Sequence, residues 1–150
     1  MTGELESEYE FRVGEPVVVE SRPSEPPFVV VFEDDGETGY LYVLDLRRGD
    51  DAVIDALHIY NSGEVSDAEE PSRLRFAWSA DEQTVTLIIN GYAHALVDFA
   101  VPVAMCANNF PPPGPDAPFP ATHEWDEQVF AATFPGIPSE WGWRQQQTGS

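Results

Sequence analysis

Apolar and polar positions alternate with period two through much of the first hundred residues. Residues 28–33 (FVVVFE) form a β-branched and aromatic run too short for a typical helix and suited to a pleated, half-buried surface. Residues 40–45 (YLYVLD) alternate cleanly, with Tyr40, Tyr42 and Leu44 on one face and Leu41 and Val43 on the other. Between them Asp34-Asp35-Gly36-Glu37-Thr38-Gly39 supplies residues that tolerate tight turns, so the three pieces read as a hairpin. A second hairpin is read from residues 84–90 (TVTLIIN) and 92–99 (YAHALVDF), joined at Asn90-Gly91. That dipeptide suits a type I′ turn, where both central residues need positive φ. Residues 74–79 (LRFAWS) precede this pair, and residues 17–20 form a short β-branched run. Residues 51–61 fit either a helical stripe or a strand, and the strand formers of 57–60 favour a strand in the second half.

The pattern breaks after residue 101. Phe110-Pro111-Pro112-Pro113-Gly114-Pro115 is incompatible with a central strand or a helix interior. Thr122 is placed to cap a helix over 123–133, with Glu124, Asp126 and Glu127 in its first turns and Pro135 ending it. The expected fold is mainly β: six or seven antiparallel strands in a bent sheet or small barrel-like sandwich, covered by a C-terminal helix and an irregular Pro-rich segment. It is one domain, with an acidic arm or edge strand at 1–12, a β core at 13–100, a Pro- and Trp-rich cover at 101–144 and a disordered polar tail at 145–150.

Charge changes the picture more than overall composition does. Twenty-seven acidic residues face seven basic ones, all of them arginine, for a formal net charge of −20. Such a surface repels nucleic-acid phosphates and anionic membranes and attracts basic proteins. The acids concentrate in the arm, in the turn at Asp34, Asp35 and Glu37, and in the loop carrying Glu64, Asp67, Glu69 and Glu70. The turn lacks the spacing of an EF-hand loop and is read as turn chemistry, not as a calcium site. The absence of a signal peptide or an apolar span points to the cytoplasm.

Candidate catalytic chemistry is sparse. His58, His94 and His123 lack zinc-ligand spacing, so no metal is expected. Cys106, the single cysteine, has no basic neighbour or helix start nearby to activate it. No nucleophile-elbow, P-loop or dinucleotide motif occurs, and no cofactor is expected. Trp125, Trp141 and Trp143 either cap a sheet face or form a partner-binding patch.

The blocks FVVVFEDDGETGYLYVLDL, DALHIYN and WSADEQTVTLIINGYAHALVDF, in this order and spacing, resemble an uncharacterised bacterial family of short acidic proteins catalogued as a domain of unknown function. The resemblance spans residues 13–99 and implies a bacterial domain without an assigned activity. The expectation from the residues is a non-enzymatic binding protein, immunity-protein-like, that meets a basic protein through Asp34, Asp35, Glu37, Glu64, Asp67, Glu69, Glu70, Trp141 and Trp143. The alternative is a small-ligand-binding or enzymatic β domain with a pocket near His58, Tyr60, Tyr92 and His94.

Overall fold

The computed structural model describes residues 8–66, 68–111 and 123–148. Among the described residues are nine strands and two α-helices. They are β1 Glu8–Phe11, β2 Val17–Ser21, β3 Phe28–Asp34, β4 Thr38–Asp45, β5 Val53–Asn61, β6 Ser72–Trp78, β7 Thr84–Ile89, β8 Tyr92–Asp98, β9 Val103–Cys106, α1 Glu127–Thr133 and α2 Glu140–Thr148. The strands make two antiparallel sheets, ordered β2-β3-β4-β5 and β1-β6-β7-β8-β9, which do not close into a barrel.

The main core lies between the sheets. The period-two pattern places Phe32, Leu41 and Leu57 from one sheet and Leu74, Phe76, Leu87 and Val97 from the other in a single buried cluster. Strand β7 is buried at every position, because its second face is covered too. There Ala77, Ile88, Leu96 and Met105 meet Trp125, Phe130 and Phe134 from the C-terminal segment. Burying each such large side chain contributes roughly 1.5–3 kcal/mol. The molecule is therefore a sandwich with a helical layer on its five-stranded sheet.

Both expected hairpins are present. Asn90 and Gly91 adopt φ of 53° and 87°, as a type I′ turn requires. In the first hairpin Asp35 Oδ1 accepts from the backbone N–H groups of Glu37 and Thr38, both at 2.9 Å. The ambiguous segment is strand throughout β5, since pairing with β4 extends from Val53 to Asn61.

Three differences from the expectation have local causes. Strand β9 adds one edge to the five-stranded sheet, although Pro102 directly precedes its four residues. The opposite edge is β1, paired with β6 and drawn from the segment read as an acidic arm or edge strand. The helix expected over 123–133 begins only at Glu127. His123 has φ 63° and bridges Met105, and the Asp126 carboxylate takes the N–H groups of Gln128 and Val129 as the helix cap. The proposed Thr122 cap lies outside the described residues. Finally, α2 runs to Thr148, into the stretch assigned to a polar tail.

Candidate functional site

The two acidic segments meet at Ser62. Its N–H donates to the Glu37 carbonyl at 2.8 Å and its hydroxyl to the Gly36 carbonyl at 3.1 Å. Asp35, Glu37 and Glu64 are exposed at this end of the sandwich. Backbone N–H groups from Thr38 and Glu37 hold the Asp35 carboxyl below the usual carboxylate range. Glu64 accepts from Asn61 Nδ2 at 2.9 Å. Glu69 and Glu70 are exposed further along the same loop, which the Arg12 guanidinium ties down through the Glu69 carbonyl. Asp67 lies outside the described residues.

Asp34 departs from the expected surface role. It is fully buried, and its carboxylate accepts from Gly14 N at 2.7 Å, Gly36 N at 2.8 Å and the Tyr60 hydroxyl at 2.6 Å. A carboxylate spent on three internal donors organises the turn and offers nothing to a partner. Burial first, then Asp34, pushes the Tyr60 hydroxyl far above its ordinary value. The Tyr60 ring lies across Gly39, where any Cβ would stand 2.7 Å from its Cζ.

Tyr60 separates two adjoining cavities. One, of about 440 Å³, is lined by Tyr40, His58, Asn61, Asn108 and Phe110. The other, of about 360 Å³, is lined by Glu64, Tyr92, His94, Glu140 and Trp143. Ile59, Tyr60, Glu64, Val65 and Arg144 line both. His58 and His94 thus face neighbouring hollows from strands of different sheets, and Tyr60, Tyr92 and His94 share the second. His58 is held at both ring nitrogens: Nδ1 accepts from Asn108 Nδ2 at 2.6 Å and Nε2 donates to Asn61 Oδ1 at 2.9 Å.

Helix α2 forms the outer wall of the second cavity. The buried Ser139 hydroxyl accepts from Gly142 N at 2.9 Å and donates to Glu127 Oε1 at 2.7 Å, while Ala93 N donates to the Pro138 carbonyl at 2.9 Å. This start docks the helix on β8. The i, i+3, i+4 spacing then puts Glu140, Trp143 and Arg144 on one helical face. Arg144 Nε donates to Glu140 Oε2 at 2.7 Å, and Glu140 Oε1 stands 3.6 Å from His94 Nε2. Burial lowers the His94 pKa; Glu140 and the Tyr92 carbonyl oppose the shift, and Arg144 adds to it. Trp143 is 43% exposed and tilts against Tyr92 with ring centroids 6.4 Å apart. Trp141 instead packs half-buried on the second core, so it caps the sheet and is not part of an open patch.

A further polar pair had no sequence signal. His123, almost fully buried, donates from Nε2 to both Asp55 oxygens at 2.8 and 2.9 Å, and from Nδ1 to the Pro111 carbonyl. Both ring nitrogens face acceptors, which is the pattern of an imidazolium. Burial opposes that charge, yet Asp55 and Pro111 together raise the His123 pKa. Its partner is 68 residues away in sequence, and only the assembled fold brings them together. Nearby, burial pushes the Cys106 thiol up to about 11, and its S–H donates to Asn108 and to the Phe110 carbonyl. It is poorly suited to act as a nucleophile. Among the described residues no cluster of three or more His, Cys, Asp or Glu side chains could hold a metal ion. No helix among them is long and apolar enough to cross a membrane.

Residues 11–134 match a family described as "Uncharacterized protein conserved in bacteria (DUF2251)". Helix α2 lies beyond the matched residues. An uncharacterized protein of Haemophilus influenzae is 44% identical over 86 residues, covering 57% of this chain and 53% of that protein. The chain thus spans about half the length of this relative. No solved structure matches. The match over residues 11–134 makes this chain a member of that conserved, uncharacterised bacterial family.

Proposed function

We propose that the protein is a non-enzymatic binding protein that engages a basic protein partner in the cytoplasm, as an immunity protein engages a cationic toxin. The observation that carries this reading is the junction at Ser62, which gathers Asp35, Glu37 and Glu64 beside cavities walled by Tyr60, Tyr92 and Trp143. Exposed carboxylates raise the encounter rate with a cation, and aromatic side chains supply contact area at low entropic cost. Net charge of −20 extends the attraction beyond the site, out to the roughly 8–10 Å that physiological salt allows.

A small-ligand site in the same hollows is the second reading, favoured by their convergent polar lining. Catalysis there finds little support, because His58 is engaged at both nitrogens and the Cys106 thiol is buried.

The partner reading is tested by capture from host lysate on the immobilised full chain at low and high salt. A chain carrying Asp35→Asn, Glu37→Gln and Glu64→Gln serves as control. A basic protein retained by the wild type at low salt, and released both by high salt and by the triple variant, is the expected result. Recovery of no basic protein at either salt would overturn the reading.

A further inference from the structure

The second cavity contains a clue to the group it accepts. Arg144, one of seven basic residues in the chain, lines it and is ion-paired to Glu140 one helical turn away. The protein's own guanidinium therefore already lies against this wall. Beside it stands the Tyr92–Trp143 aromatic pair, and Glu64 contributes a second carboxylate. The local charge leaves room for another cation. Glu64 and Glu140 are two acids against the single Arg144, and the depressed His94 pKa keeps that ring neutral near pH 7.

This combination suits arginine better than lysine. A guanidinium is flat, stacks on indole and phenol faces, and presents edge N–H groups to carboxylates. An ammonium offers a point charge and no face. We propose that the cavity between Tyr60 and α2 is an arginine-selective seat for a side chain of the basic partner, with Arg144 as its internal stand-in. The inference rests on the basic-partner reading and names the group recognised. The partner's guanidinium stacks against Trp143 and takes carboxylate oxygen from Glu64 and Glu140. Arg144 competes for the same oxygens and so weakens the site in the free protein.

The test is calorimetry at low salt with capped hexa-arginine and hexa-lysine peptides on the full chain, Trp143→Ala and Arg144→Ala. Hexa-arginine is expected to bind about tenfold more tightly than hexa-lysine. Trp143→Ala should bring the two peptides level, and Arg144→Ala should tighten hexa-arginine binding. Both substituted side chains are half-exposed, so folding is not at issue. Equal, measurable binding of the two peptides by the wild type overturns the arginine seat and leaves the basic-partner reading standing. Failure of both peptides to bind overturns both. Hexa-arginine binding that Arg144→Ala leaves unchanged or weakens overturns the stand-in role.

Discussion

His94 and His123 each lie beside a carboxylate, and their proton affinities move in opposite directions. Burial disfavours the imidazolium at both. The difference lies in how much of each carboxylate is available. Asp55 turns both oxygens to His123 at 2.8 and 2.9 Å, and the Pro111 carbonyl takes the other ring N–H. Glu140 stands 3.6 Å from His94 and gives its shorter bond, 2.7 Å, to Arg144. At His94 the charge of Glu140 and the Tyr92 carbonyl do not offset desolvation, whereas at His123 the hydrogen bonds to Asp55 and Pro111 do. One pair is a clamp inside the fold; the other is a loose contact on a cavity wall.

The largest expected effect comes from breaking the clamp. Asp55→Ala leaves a buried imidazole without its partner and should cost about 3–5 kcal/mol, read as a lowered midpoint in urea unfolding. A loss below about 1 kcal/mol would mean that the pair is no clamp.

Next comes the dependence of stability on pH, in which the two histidines act on opposite sides of about 6.5, the unfolded value. The His123 pKa is raised on folding. Its contribution is therefore full below about 6.5 and is lost as pH rises through the folded value. The His94 pKa is lowered, so its contribution is full above about 6.5 and is lost as pH falls toward the folded value. Glu140, Arg144 and the Tyr92 carbonyl face His94; Asp55 and the Pro111 carbonyl face His123. Thermal unfolding across pH should lose its alkaline decline in His123→Gln and soften its acid decline in His94→Gln. The reverse assignment would invert the comparison. The smallest effect is expected from Glu140→Gln, which should change stability by no more than about 1 kcal/mol and shift the acid limb alone.

The strands were legible where local chemistry decides them. Asn90-Gly91 accepts positive φ cheaply, and the two faces read for 40–44 match the observed burial, with Leu41 and Val43 buried and Tyr40, Tyr42 and Leu44 half-buried, although Asp45 is buried too. Strand β9 was not legible, because four residues just after Pro102 carry no period, and its place is set by pairing with β8. The helix start was misplaced because Asp126, read as an acid inside the first turns, is itself the cap. The His123 bridge to Met105 decides against the earlier start. Among the site residues, Asp34 read as a surface acid because nothing local shows that Tyr60 and Gly14 converge on it. Strand alternation puts Tyr92 and His94 on one face of β8, but Tyr60 lies on a strand of the other sheet, and neither their meeting at one cavity nor the wall that α2 adds was legible. Helix α2 is held by Ser139, Glu127 and Ala93 together, a contact set that spans the C-terminal cover and β8.

The two edges of the five-stranded sheet have very different histories. Glu8–Phe11 is the first described strand to be synthesised, yet it pairs with Ser72–Arg75, on the far side of the entire four-stranded sheet. At roughly 5–20 residues per second, β1 leaves the ribosome several seconds before its partner exists. During that interval β2 to β5 can assemble among themselves, because all their pairings are sequential. A nascent chain folded that far would present half a sandwich, with Phe32, Leu41 and Leu57 of the eventual core open to water and β1 unpaired. The order of synthesis thus exposes the chain most while β6 to β9 are still being made.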